Sequence, residues 1–216
     1  MSRGRQGRCR WQGLLALLAG LAVPAAAAQA RAPSGFTAEP ASPAARRMAA
    51  WVTATDDTHG RPFVVVDKLA ARVFAFDRRG ILIGGAPALL GLARGDDNIP
   101  GVGAMRLGDI APAQRITPAG RFEAHLGANL AGHRILWVDY DAAISLHPVV
   151  TSNPAEHRLQ RLATASILDN RISYGCINVP ARFYAAVVEP LFTPANGIVY
   201  ILPEVRPLES LLHAPG

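Results

Sequence analysis

From residue 63 to residue 203 the chain is a succession of short apolar runs, β-branched or alternating, each stopped by glycine, proline or a polar cluster. That pattern commits it to β-structure more firmly than any other feature. Residues 63–66 form a β-branched run, and residues 72–77 place apolar side chains at alternate positions. Arg78, Arg79 and Gly80 read as a hairpin turn, residues 81–83 as the returning strand, and residues 88–91 as its continuation after Pro87. The spacing predicts an antiparallel meander. Residues 121–126, 134–140 and 143–147 follow as further strands, the last ending on His147, and residues 197–203 close the series. Only two stretches have clear helical spacing. Residues 43–53 follow Ser42 as N-cap with Pro43 at the first helical position and carry Met48, Trp51 and Val52 on one face. Residues 181–192 carry Phe183, Tyr184, Val187 and Val188. The expectation is a mainly β domain (β-rich α+β), a mixed sheet or open barrel with one or two helices packed on it.

The first thirty residues differ in kind. Arg3, Arg5, Arg8 and Arg10 precede an apolar run over residues 14–23 and a small-residue stretch ending Ala28-Gln29-Ala30. This reads as a secretory signal peptide, with a run too short to span a bilayer and Pro24 at its end. It predicts export to the periplasm with no membrane anchor after cleavage. Removing it takes four of the 22 basic residues and none of the 16 acidic ones, so the net charge of +6 falls to 18 against 16, or +2. A mature chain so nearly neutral gives no support for nucleic-acid binding. Cys9 leaves with the leader, so Cys176 is the one thiol that remains and no internal disulfide is available.

Residues 31–42 read as a mobile leader segment, so that residues 31–60 form a leader with a short helix. A single domain is expected over residues 61–204, with residues 205–216 as a tail. The loop over residues 95–103 is polar and glycine-rich, which suits a surface wall or lid. Its carboxylates do not have the spacing of a calcium loop, and no metal or cofactor is expected. Residues 148–172 are polar and broken, with Leu159, Leu162 and Ala163 at helical spacing in a basic segment.

Cys176 sits in Arg171-Ile172-Ser173-Tyr174-Gly175-Cys176-Ile177-Asn178-Val179-Pro180. A glycine before a cysteine allows a tight turn or a close backbone approach, and polar groups flank the thiol on both sides. Free cysteine is commonly a buried structural residue, and a lone thiol becomes a nucleophile only when neighbours activate it. Ser173, Gly175-Cys176-Ile177-Asn178 and the upstream Leu146-His147 resemble the nucleophile motif of the L,D-transpeptidase (YkuD-like) catalytic domain, a family of cell-wall cysteine enzymes. Thr117-Pro118-Ala119-Gly120-Arg121-Phe122 and the strand at residues 63–68 add to the resemblance, which spans residues 61–204.

The resemblance implies Cys176 as nucleophile and His147, at a strand end 29 residues upstream, as general base. His157 lies among Glu156, Arg158 and Arg161 and reads as solvated, and His125 and His133 match no motif. The backbone around Tyr174, Gly175 and Cys176 is the expected oxyanion hole, and Ser173 is expected to support the turn. Arg171 and Asn178 are candidates for substrate binding. Tyr174 stands where the family most often has histidine. The implied partners are peptidoglycan stem peptides, donor and acceptor, joined through a thioester. A hydrolytic relative on the same scaffold and a murein-binding protein without turnover are the alternatives. The local cysteine-tryptophan signature of papain-type proteases is absent.

Overall fold

A computed structural model describes Met1, Phe36 and residues 39–212. The expected signal peptide, Met1 apart, lies outside the described residues, as does Cys9. No helix among the described residues is long and apolar enough to cross a membrane.

Ten strands among the described residues form the frame: β1 (Phe63–Asp67), β2 (Arg72–Phe76), β3 (Leu82–Pro87), β4 (Leu90–Gly91), β5 (Gly120–Ala128), β6 (Arg134–Asp139), β7 (Ile144–Pro148), β8 (Arg171–Ser173), β9 (Ile177–Val179) and β10 (Gly197–Ile201). Eight of them make one mixed sheet in the order β3-β2-β1-β10-β5-β6-β7-β9. Its neighbours are antiparallel except for β1 with β10 and β7 with β9, which run parallel. The two edges nearly meet, because Leu89, two residues beyond β3, exchanges backbone hydrogen bonds with Asn178 of β9 in both directions.

The expected meander is present over β1 to β3, with Gly80 at φ 74° in its turn. It ends there. Residues 88–91 do not continue it: β4 leaves the sheet and pairs in parallel with β8. Gly91 makes that departure possible, since a Cβ there would stand 2.5 Å from the Arg115 carbonyl oxygen.

Strands β1, β2 and β10 are buried on both faces, which explains their unbroken apolar runs. Val64, Val66, Val73, Ala75, Val199 and Ile201 face one core, shared with Leu146, Ile177, Val179, Tyr184, Val188 and Phe192. Phe63, Val65, Phe74, Phe76, Ile198 and Tyr200 face a second, closed by α1 (Pro43–Thr55). Ser42 caps α1 by accepting from the Ala45 amide at 3.1 Å, and Ala45, Met48, Ala49 and Val52 form its buried stripe. α2 (Arg158–Ala163) lies between β7 and β8. Helices α3 (Ala181–Phe183) and α4 (Glu189–Phe192) are joined by a π turn over Tyr184–Val188. Pro190 accounts for that turn: it has no N–H to donate, and its ring crowds the carbonyl four residues back.

Two sequence expectations are corrected by packing, and a third is refined. Phe36, in the segment read as a mobile leader, is buried in the second core and stacks edge-on against Phe74 and Phe76. The segment beyond Glu204, read as a tail, forms α5 (Glu209–Leu212) and buries Leu211 and Leu212 in the same core. The polar loop at residues 95–103 is fastened at its start, because Asp96 is only 5% exposed. That carboxylate accepts hydrogen bonds from the Lys68 ammonium and from the amides of Glu204, Val205 and Arg206. Its charge is balanced inside the fold, so a sequence that looks solvated is tied down.

Candidate active site

The parallel pairing of β7 and β9 builds the site. Its register sets Leu146 beside Ile177 and His147 beside Asn178, and with a side-chain period of two each strand divides into two faces. Ile144, Leu146, Ile177 and Val179 point into the first core. Ser145, His147, Cys176 and Asn178 therefore share the opposite face.

Cys176 Sγ lies 3.6 Å from Ser145 Oγ and 3.5 Å from the carbonyl oxygen of Ala143. The cysteine is neither sealed nor fully open. Burial alone would push its thiol up, but the His147 imidazole and hydrogen bonds from the Ser145 side chain and backbone outweigh it and hold the pKa below the ordinary thiol value. His147 shows the converse. Burial alone would push the imidazole down, but the Cys176 sulfur and the Pro148 carbonyl outweigh it and raise its pKa. Both shifts favour thiolate beside imidazolium. His147 Nδ1 is 2.7 Å from the Pro148 carbonyl oxygen, an atom that can only accept, so Nδ1 carries a proton and Nε2 is the basic nitrogen of the neutral ring. His125, His133 and His157 are exposed.

The nucleophile turn is braced from within and from behind. Ser173 Oγ donates to the Cys176 carbonyl at 2.7 Å and accepts from the Gly175 amide at 3.1 Å. Gly175 has φ 132°, and a Cβ there would meet the Ile116 carbonyl oxygen and Ile144 Cδ1, each at 2.7 Å. Thr117, fully buried, donates its hydroxyl to the Gly175 carbonyl at 2.8 Å and accepts from the Gly91 amide at 2.8 Å. Two residues earlier, the Arg115 guanidinium lies 4.1 Å from the centre of the Tyr174 ring. Of the three amides expected to face an oxyanion, that of Gly175 is thus already engaged. Those of Tyr174 and Cys176 have no acceptor among the described residues.

L,D-transpeptidases are its structural neighbours. A member in complex with imipenem is 15% identical, at a TM-score of 0.37 over 65% of this chain and 58% of that one. The catalytic domain of the Enterococcus faecium L,D-transpeptidase is 17% identical, at a TM-score of 0.35 over 68% of this chain and 97% of that domain. The helical cell shape determining protein Pgp2 of Campylobacter jejuni is 17% identical, at a TM-score of 0.41 over 72% of this chain and 55% of that one. The chain therefore spans little more than half of the imipenem-bound protein and of Pgp2. No protein-family model matches the chain, and no curated protein sequence matches it.

The two candidates for substrate binding are otherwise engaged. Arg171 donates to Glu204 Oε2 at 2.6 Å, to Glu204 Oε1 at 3.2 Å and to the Lys68 carbonyl at 2.9 Å, so its fork serves the interior. Glu204 also lies 3.6 Å from the Lys68 ammonium, which itself donates to the Thr117 carbonyl at 3.0 Å. A buried ionic cluster thereby reaches the residue that holds Gly175. Asn178 is 1% exposed and directs its amide at the Cys176 carbonyl and at His147. Ser145 and Thr117 are the residues that sequence reasoning passed over. The signal for Ser145 was its place two residues before His147 on a strand, which puts both on one face.

No group of three or more His, Cys, Asp or Glu side chains among the described residues is placed to hold a metal ion. The arrangement is suited to covalent acyl transfer by a thiolate.

Proposed function

We propose that the protein is an exported peptidoglycan L,D-transpeptidase whose nucleophile is Cys176. The observation that carries this reading is the partly buried Cys176 beside Ser145 and His147, with thiol and imidazole shifted in the directions that favour an ion pair. The motif resemblance supplies the substrate, a stem tetrapeptide of peptidoglycan.

In this reading the Cys176 sulfur attacks the carbonyl that links an L-configured centre to the terminal D-amino acid. The amides of Tyr174 and Cys176 are the donors left free to stabilise the resulting oxyanion. Collapse breaks the carbon–nitrogen bond, the leaving amine takes the proton held by His147, and a thioester remains on Cys176. His147 then accepts a proton from an incoming acceptor amine, whose attack frees the sulfur and forms the cross-link.

Intact mass of the protein after exposure to a carbapenem or a tetrapeptide donor tests the proposal. An acyl adduct that maps to Cys176 and disappears in Cys176→Ala is expected, and an unmodified wild-type chain would refute it. Product masses from purified muropeptides separate cross-linking from hydrolysis: dimers are expected, and trimmed monomers alone would assign the hydrolytic alternative.

A further inference from the structure

The basic segment before β8, which the chemistry above does not use, reaches the site through one side chain. Arg158 opens α2, and its Nη1 donates to Asn178 Oδ1 at 2.6 Å. Its Nε donates to Glu156 Oε2 at 2.5 Å. The far end is anchored too, because Arg161 Nε donates to the Glu156 carbonyl at 2.9 Å and its Nη1 to the Asp169 carbonyl at 3.0 Å. Arg158 is mostly buried by these contacts, with 12% of its side chain exposed.

A guanidinium has donors only, so the atom of Asn178 that faces it must be the oxygen. That settles the orientation of the amide. Nδ2 is turned toward two acceptors, the Cys176 carbonyl oxygen at 3.3 Å and His147 Nε2 at 3.4 Å. With the amide so held, Nε2 meets a donor and is favoured as a lone pair. Were the amide free to turn over, its oxygen would face Nε2 and favour a proton there. We propose that Arg158 is a positioning residue for the proposed acyl transfer: by fixing the orientation of Asn178 it keeps His147 Nε2 ready to accept the acceptor amine's proton once the thioester has removed the thiolate from beside the ring.

The groups acting on the imidazole are few. Cys176 approaches from the turn before β9 and favours the charged ring, and the Pro148 carbonyl on β7 does the same. Arg158 on α2 carries the opposing charge, with Glu156 partly neutralising it from behind. Loss of Arg158 thus removes a like charge and releases the amide, and both changes raise the affinity of His147 for its proton.

The inference rests on the acyl-transfer reading for its purpose but is tested without a substrate. In the full chain, the ring-proton resonances of His147, assigned by their absence in His147→Gln, are followed against pH. Arg158→Met should move the titration midpoint of His147 to higher pH. Asn178→Ala should move it likewise, and the double substitution should move it by less than the sum, since one residue acts through the other. Glu156→Gln, which leaves both partners in place but removes the carboxylate that offsets the Arg158 charge, should move the midpoint to lower pH and serves if Arg158→Met does not fold. An unmoved midpoint in both Arg158→Met and Glu156→Gln, or strictly additive shifts, would overturn the proposal. Transfer from a tetrapeptide donor to an acceptor amine should slow by ~10-fold or more for Arg158→Met, because the imidazole must be neutral to take the acceptor's proton. A shifted titration in a chain that no donor acylates would retain the Asn178 linkage and reject transpeptidation.

Discussion

At the scale of single residues the site depends on one sulfur made reactive by its neighbours. Because His147 helps to hold the Cys176 thiol below its usual range, the rate of alkylation by iodoacetamide should stay high well below the pH at which a free thiol loses its proton. His147→Gln should displace that pH–rate profile upward, read by peptide mass at Cys176. A profile identical to wild type would remove the imidazole from the activation. Thr117 makes a second residue-scale case. Its buried hydroxyl joins the Gly91 amide to the Gly175 carbonyl, so Thr117→Val leaves a donor and an acceptor unmet in the interior. The expected cost is about 1–3 kcal/mol by urea unfolding, with a parallel loss of acylation that Thr117→Ser largely restores. Thr117 lay within a segment of the motif resemblance, but its role was illegible there. A hydroxyl 58 residues from the turn it supports gives no local signal. Arg171 misled for the related reason that a basic residue beside a nucleophile looks available until its carboxylate partner, 33 residues onward, is seen.

At the scale of elements, the long alternating strands were legible because one face of each is committed to a core. The short ones were not. β4 has two residues and β8 and β9 three each, too few to show a period, and their places are fixed by pairing with distant partners. Yet β9 matters most, since its parallel register with β7 carries Cys176 and Asn178 to Ser145 and His147. The helix at residues 181–192 was legible from its spacing, whereas its π turn follows from one proline. The C-terminal segment was misread because it is proline-bearing and brief, and only the second core shows where Leu211 and Leu212 go. Ending the chain after Arg206 keeps the amides that bind Asp96 but removes Leu208, Leu211 and Leu212 from that core. At ~1.5–3 kcal/mol for each leucine fully withdrawn from water, partial burial here should still amount to ~3–5 kcal/mol. A thermal or urea midpoint unchanged by the truncation would show that α5 is dispensable.

At the scale of the whole molecule, the ionic cluster of Lys68, Asp96, Arg171 and Glu204 binds together parts of the chain that are far apart in sequence. It links the end of β1, the loop after β4, the strand before the nucleophile turn and the segment after β10. Burial alone would raise the pKa of both carboxyls. For Asp96 the Lys68 ammonium and three backbone amides outweigh it, and for Glu204 the Gly95 amide, Arg171 and Lys68 do so. Both are therefore lowered from their ordinary values of 3.8 and 4.5. A carboxyl whose folded pKa lies below its unfolded one binds fewer protons when folded. Its contribution is complete above those ordinary values and is lost as pH falls through them toward the lower folded ones. Stability should thus hold from neutrality to about pH 5 and then fall steeply. Asp96→Asn leaves the fully buried Lys68 ammonium with Glu204 at 3.6 Å as its remaining anion, which should cost about 3–5 kcal/mol at neutral pH. The same substitution removes one of the two depressed carboxyls, so its stability should decline less steeply in acid. Urea midpoints from pH 7 to pH 3 decide the matter: curves for wild type and Asp96→Asn that converge toward acid support the cluster as the source of the acid limb, and parallel curves would place that source elsewhere.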